Sequence, residues 1–448
     1  MTDLGPLAPV LPAGPVGFGP RSPVAVSLLG KAAEAITLVA LVILLPRVLG
    51  PVDYGRFAVV LSIVTLVSTS LALGSAALLS RFLPALAPAE RLPAARALAL
   101  RLGRFRLLQV LLVVAASGAL AVTAPDRFPT IQMLLLATAV VFDSAATLGY
   151  QIMLGLGRPG LWSFRYPMQN AVLCGAVVAL HAAAGVTGAI AGIVVGAGLA
   201  ALVAAIAVGR ELRGVRPALS LPEGALRFGI VQSIGSFFVQ FVHRGTVIAV
   251  VLLAGSSTEA GFAALASGVA LALTYVVAQA FLVELPRLSA RFETSPSEAE
   301  RSVRRLAWLS LAVTLPVALG GELLVEHALP HVVGTGFDVA APAFGPAFAM
   351  LPLAGLTSAA SQISALRLRS GARLLANAVG ATAFLVTAVL AVPVWGSVGA
   401  TAALLVATIS TVAAAARLLP GVYSRSLVVT AIGGTVAVVA LAALSEHG

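Results

Sequence analysis

Charge is what this chain has least of. Charged residues are 10% of its 448 residues and apolar residues 59%, whereas soluble proteins carry roughly 25% charged residues. A soluble core cannot hold that proportion of hydrocarbon, so most of the chain must use the bilayer as its solvent. Cysteine is nearly absent. The single residue, Cys174, lies within an apolar run, which excludes disulfides and a cysteine metal site and leaves a packing role. Lysine is equally scarce, with Lys31 the one non-arginine among 28 Lys and Arg residues. The alternation of polar and apolar positions that a transmembrane β-barrel needs is missing as well. Connections between apolar runs reach at most about 26 residues, and none carries an acidic pair or a His cluster. An enzyme acting on a soluble substrate would have nowhere to sit, and neither cofactor nor metal is expected.

Long apolar runs take the place of these features. They cover approximately 24–48, 56–80, 107–124, 131–154, 161–183 and 188–208, then 228–253, 260–284, 306–327, 339–366, 374–393 and 398–416, with a thirteenth at 427–444. Runs of about 18 or more apolar residues predict transmembrane helices. Residues 1–23 hold six prolines and one base, a disordered leader rather than a signal peptide. The expected organisation is an all-α polytopic membrane protein. After the leader come an N-lobe over 24–220, a C-lobe over 221–418, and one extra C-terminal helix within 419–448.

The net charge of +11 does not point to nucleic acid, because the bases follow the membrane segments. The connection after run two holds Arg81, Arg91, Arg96, Arg101, Arg104 and Arg106; later even-to-odd connections hold Arg210, Arg287, Arg301 and Arg367 among others. Together with Arg158 and Arg165, this side of the membrane collects 23 of the 28 bases. The positive-inside rule makes it the cytoplasmic side and places the N-terminus there.

The chain also repeats itself. Leu49-Gly50-Pro51-Val52-Asp53-Tyr54-Gly55-Arg56-Phe57 closes the first run, and Ala254-Gly255-Ser256-Ser257-Thr258-Glu259-Ala260-Gly261-Phe262 closes the seventh. Arg165 followed by Asn170-Ala171-Val172 parallels Arg373 followed by Asn377-Ala378-Val379. Likewise Gly185-Val186-Thr187-Gly188-Ala189 parallels Gly396-Ser397-Val398-Gly399-Ala400. A duplication offset by six helices inserts both copies in the same direction, a parallel repeat with the working cavity expected between the lobes. That architecture argues for a transporter.

These same stretches resemble the polysaccharide-exporting branch of the multidrug/oligosaccharidyl-lipid/polysaccharide flippase superfamily. The Leu49-to-Gly55 turn is similar to that branch's first periplasmic loop. Leu285-Pro286-Arg287-Leu288, Gly334-Thr335-Gly336-Phe337 and Gly396-Ser397-Val398-Gly399-Ala400 match in order and spacing. The resemblance implies a V-shaped, MATE-like pair of six-helix lobes in the bacterial cytoplasmic membrane. Such a protein moves undecaprenyl-pyrophosphate-linked oligosaccharide to the outer leaflet by alternating access. It implies a non-enzyme, a monomer in contact with membrane lipids that can associate with polysaccharide polymerase or assembly proteins. Where many relatives carry an acidic-basic pair on helix 7, this chain reads His243-Arg244, keeping the base without the acid.

Four intramembrane charges are the candidate site residues. Arg244 sits about nine residues from the outer end of its helix, roughly 14 Å deep at 1.5 Å per residue. A charge there costs at least about 2.5 kcal/mol, so it faces either a wet cavity or a structural partner. In a cavity its planar fork suits a pyrophosphate. Lys31 and Glu34 are one turn apart, which allows an intrahelical pair, snorkelling, or a Lys31 placed low in the cavity, across from Arg244, for the phosphate of an arriving lipid. Asp143 lies near the midplane with no base nearby in sequence. An isolated carboxyl there can exchange a proton and couple transport, and a structural ion pair is the alternative. Glu322, Glu326, His327 and His181 read as water-accessible boundary residues. Gly188, Gly192 and Gly196 form a packing stripe. Gly155-Leu156-Gly157-Arg158-Pro159-Gly160 fits a dinucleotide pattern but joins two membrane helices and reads as a turn. Three rivals remain: a drug/cation antiporter of the same superfamily, a lipid II flippase, and a membrane glycosyltransferase or glycan ligase.

Overall fold

Where two membrane segments join without a loop, the joint needs backbone angles that L-residues resist, and the chain places glycine there. The structure, a computed structural model, describes residues 23–445 apart from 73, 76, 77, 80, 81, 85, 124–128, 219–224 and 368. The leader up to residue 22, Arg81 and most of the outer loop at 125–130 lie outside the described residues. In chain order the helices are α1 (Pro23–Leu71), α2 (Pro88–Thr123), α3 (Thr130–Gly155), α4 (Pro159–Leu212) and α5 (Ala225–Ala254). They continue as α6 (Ser257–Thr294), α7 (Pro296–Val332), α8 (Asp338–Leu366, opening in 3-10 turns), α9 (Ser370–Leu418) and α10 (Arg425–Ser445). All ten contain a stretch long and apolar enough to cross a membrane.

Three of them are two segments in one. α1 kinks at Gly50 (φ 68°, ψ 170°), α4 at Ala184 and Gly185, and α9 at Gly396 (φ 51°, ψ −121°). The described residues therefore hold thirteen helical segments, with each expected apolar run on one of them. Several helices are longer than expected. α2 begins at Pro88 rather than 107, α6 runs on to Thr294, and α7 begins at Pro296 rather than 306. Hydropathy marks only the part of a helix that lies in hydrocarbon. Ala, Leu, Arg and Glu are strong helix formers, so the arginine-rich flanks continue the backbone into water.

The segments group into two compact units. One takes the chain up to Thr37 together with Val64–Ile234; the other takes Leu38–Ile63 together with Gly235 onward. In the first unit, Leu79 and Leu83 from the connection before α2 form a core with Ala94, Ala95, Leu98 and Leu102 of α2, Ile152 of α3 and Leu212 of α4. The glycine stripe packs as expected: a Cβ on Gly192 would lie 2.7 Å from Val177, and one on Gly196 3.1 Å from Leu173.

The second unit brings the two copies of the repeated turn against each other. A Cβ on Gly55 would collide with the Ser257 carbonyl oxygen, and one on Gly261 would lie 2.4 Å from the Pro51 carbonyl oxygen. Each turn thus sets a glycine against a backbone carbonyl of the other, and neither side has room for a Cβ. Tyr54 and Phe262 each meet Phe337 edge-on at 6.0 Å. Ser256 caps α6 by accepting from the Glu259 N–H, and the Glu259 carboxylate accepts from the Ser397 N–H at 2.8 Å just after the Gly396 break. The final helix α10 packs on α7 and α8, with Thr435 donating to the Ala349 carbonyl. Before it, half-buried Tyr423 donates to the Leu356 carbonyl at 2.9 Å, and desolvation of the hydroxyl pushes its pKa up.

Gly261→Ala should lower the thermal unfolding midpoint, because overpacking against backbone costs about 1–3 kcal/mol. Gly103→Ala, where nothing lies within 4 Å, should leave the midpoint unchanged or raise it. Equal behaviour of the two variants would refute the tight turn-to-turn contact.

Candidate functional site

Burying a charge in a helical bundle requires a partner or polar surroundings, and the first unit supplies both. The Arg165 guanidinium, 4% exposed, donates to the Asp143 carboxylate at 2.9 Å. Gln169, one turn along α4, donates to the same oxygen at 3.2 Å, and its own carbonyl accepts from Arg165 Nε. The guanidinium also stacks near Tyr166 and Tyr150, at 4.7 Å and 5.6 Å. Asp143 is thus not the isolated carboxyl that its sequence surroundings suggest. Its charge is matched from a different helix, 22 residues on.

Lys31 and Glu34 form the intrahelical pair at 2.7 Å, and Lys31 Nζ sits 4.3 Å above the Trp162 ring. Gly30 allows this approach, since a Cβ there would lie 2.5 Å from Ser163 Cβ on α4. Below the pair, Thr37 donates to the Glu34 carbonyl and accepts from Asn170. α1 is thereby fastened to α4 by polar contacts at two levels.

Arg106 belongs to this polar interior, although it reads in the sequence as one more cytoplasmic base. It is 4% exposed and donates through Nη1 to the Ser144 carbonyl and through Nη2 to Ser75 Oγ at 2.6 Å. Ser75 in turn donates to Gln151 Oε1 at 2.6 Å. Arg165 and Asp143 both act on Arg106 electrostatically. One signal in the sequence could have flagged these bases. Arg106 is followed one turn later by Gln109, and Arg165 by Gln169 and Asn170, so polar residues recur on one face inside apolar runs.

In the second unit Arg244 lies half-buried on α5, within electrostatic range of Tyr54 and His243. Its turn is fixed by packing next door. A Cβ on Gly245 would lie 3.0 Å from the Phe384 ring, and Phe241 meets Phe384 edge-on at 6.0 Å. Asn377 of α9 donates to the Gly235 carbonyl two turns below. Glu322 is corrected by the structure: it is 5% exposed, buried between α7 and α8 rather than at a wet boundary, while Glu326 and His327 are exposed. Among the described residues no group of three or more His, Cys, Asp or Glu could hold a metal ion.

The molecule defined by these features is a multi-pass helical membrane protein with charged, hydrogen-bonded interiors. No protein-family model matches the sequence, and no curated protein matches it. Solved structures do. The lipid II flippase MurJ in an inward closed conformation aligns with a TM-score of 0.70 at 11% identity, over 92% of this chain and 91% of that one. An outward-facing multidrug resistance MATE transporter of the MOP superfamily aligns with 0.58 at 15% identity, over 94% of both chains. A Vibrio cholerae MATE transporter aligns with 0.53 at 14% identity, over 88% of this chain and 93% of that one. At these identities the likeness establishes the fold, which this chain shares with them over most of its length.

Proposed function

We propose that this chain is a flippase of the multidrug/oligosaccharidyl-lipid/polysaccharide superfamily. It moves a polyprenyl-pyrophosphate-linked oligosaccharide from the inner to the outer leaflet of a bacterial cytoplasmic membrane by alternating access, with its N-terminus in the cytoplasm. The observation that carries this reading is the sign of the buried charge. In the first unit Lys31, Arg106 and Arg165 lie within the helices, and the carboxylates beside them among the described residues are Glu34 and Asp143. An interior biased toward cations suits an anionic head group and disfavours the organic cations that drug antiporters carry. Arg244 takes the pyrophosphate through its bidentate fork. Lys31 meets the phosphate of a lipid arriving from the inner leaflet, with Glu34 holding the ammonium in place until then. Outward movement of each negative charge gains about 2.3 kcal/mol per 100 mV of inside-negative potential, so no counter-ion is required.

The fold shared with a lipid II flippase supports a second substrate reading within the same mechanism, lipid II itself. Proteoliposomes loaded with fluorescent polyprenyl-pyrophosphate oligosaccharide test both. Transfer between leaflets should exceed that in empty vesicles and should accelerate under a potential that drives anions in the direction measured. Inhibition by excess lipid II would assign the second substrate. Transport of an organic cation, with no transfer of the glycolipid, would overturn both readings in favour of an antiporter.

A further inference from the structure

One face of α2 is turned away from the core it helps to build. Ala95, Leu98, Leu102 and Arg106 recur at helical spacing and are buried, whereas Leu100, Arg101, Arg104, Phe105 and Leu108 recur on the other side and are exposed. After α4 the chain returns to α2. Arg96 Nη1 donates to the Leu212 carbonyl at 2.8 Å, and the Ala218 N–H donates to the Pro93 carbonyl at 3.2 Å. The chain is thereby held on both sides of Pro217, which lines an open groove of about 560 Å³ together with Ala97, Leu100, Arg101, Arg104 and Phe105 of α2.

The groove combines two cations with apolar walls. Arg101 and Arg104 are one turn apart, and among the described residues no ion pair, hydrogen bond or ring contact engages either of them. Their depth is set by the helix. The apolar run of α2 begins at residue 107, so at 1.5 Å per residue Arg104 and Arg101 lie about 4.5 and 9 Å outside the hydrocarbon edge along the helix. A headgroup layer is about 5 to 7.5 Å thick on each side of the bilayer, which brings lipid phosphates level with these two side chains. Phe105, Leu108 and Leu112, all exposed, carry the same face onward into the apolar run and offer a track for acyl chains. A soluble phosphate would answer the arginines and leave the apolar walls wet; a phospholipid answers both. We propose that this groove binds an anionic phospholipid from the leaflet on the arginine-rich side, with its phosphate between Arg101 and Arg104 and its chains along Phe105, Leu108 and Leu112. Because the face points away from the interior that holds Arg106 and Arg165, this is a resident lipid distinct from the transported substrate. A zwitterionic lipid fits less well, since the two guanidiniums repel its ammonium group.

The test titrates the purified full-length protein in neutral detergent with phosphatidylglycerol or phosphatidylcholine and counts bound lipids by native mass spectrometry. Phosphatidylglycerol should saturate a site of one lipid per chain that phosphatidylcholine fills poorly. The double variant Arg101→Gln with Arg104→Gln should weaken that binding about 10- to 30-fold. Arg301→Gln with Arg305→Gln, which removes the same charge from exposed positions on α7, should leave it unchanged. Leu100→Asn should weaken it as well, and inorganic phosphate should not compete. Equal losses in the two double variants would overturn the proposal in favour of a diffuse response to net charge. Equal filling by the two lipids would overturn it too, and full competition by inorganic phosphate would replace the lipid with a soluble anion. A photoactivatable phosphatidylglycerol crosslinked to the unmodified protein keeps the test open if the variants do not fold. Labelling should map to α2 between Ala97 and Leu112, and labelling confined to other helices would overturn the assignment.

Discussion

Arg244→Ala should reduce the initial rate of glycolipid transfer about 10- to 150-fold, while the protein keeps its thermal midpoint. The magnitude follows from what a guanidinium contributes to a phosphate. A charge-assisted hydrogen bond is worth about 1.5–3 kcal/mol, and each 1.36 kcal/mol is a tenfold change. Half-burial on α5 puts Arg244 at the strong end of that range, because a less polar site weakens screening by water. Arg244→Lys should recover only part of the rate, since an ammonium keeps the charge but loses the paired, planar donors. Lys31→Ala should cost less than Arg244→Ala, because Lys31 already spends its charge on Glu34 at 2.7 Å and on the Trp162 ring. The measurement is transfer in proteoliposomes with equal amounts of inserted protein. Wild-type transfer by Arg244→Ala would remove this residue from the substrate path.

Asp143→Asn should be the most destabilising single-atom change in the first unit. The substitution keeps shape and a hydrogen-bonding oxygen for Gln169, yet it leaves the Arg165 guanidinium, 4% exposed, without its counter-charge. Breaking a buried pair from one side costs about 3–5 kcal/mol, whereas replacing both partners by apolar residues of similar volume is often neutral. The thermal midpoint of Asp143→Asn should therefore fall by about 3 to 5 °C for a chain of this length, scaling the usual unfolding entropy per residue. Asp143→Leu combined with Arg165→Met should recover much of the loss. The same pair of variants separates structure from transport. If Asp143→Asn abolishes transfer with an unchanged midpoint, the carboxylate acts in coupling and the ion pair is incidental. If the midpoint falls and the double variant restores both stability and transfer, Asp143 is a structural partner of Arg165.

Much of the fold is legible because transfer to hydrocarbon is a property of each residue taken singly. Thirteen apolar runs sum to thirteen helical segments, and even the last run, 427–444, has its helix in α10. The positions of the breaks were equally local: Gly50, Gly185 and Gly396 sit where the repeated motifs place their turns. The helix ends were not, since the arginine-rich flanks of α2 and α7 lose hydropathy without losing helical propensity.

The candidate site divides along the same line. Lys31 and Glu34 are one turn apart, so helix geometry alone offered their pairing. Asp143 and Arg165 lie on different helices, and Arg106 meets Ser75 from 31 residues away. Counting bases per connection assigns Arg106 and Arg165 to the cytoplasmic margin because it registers where a Cα enters the membrane. A guanidinium reaches several ångströms beyond its Cα, and the packing of α2, α3 and α4 decides whether it turns to water or inward. The sequence by itself determined that this is a duplicated, multi-pass helical membrane protein with an excess of arginine. Only the tertiary structure decided which arginines lie in the interior, and that the two copies of the repeated turn meet through Gly55 and Gly261. Both depend on contacts between segments distant along the chain, for which no local composition or period carries a signal.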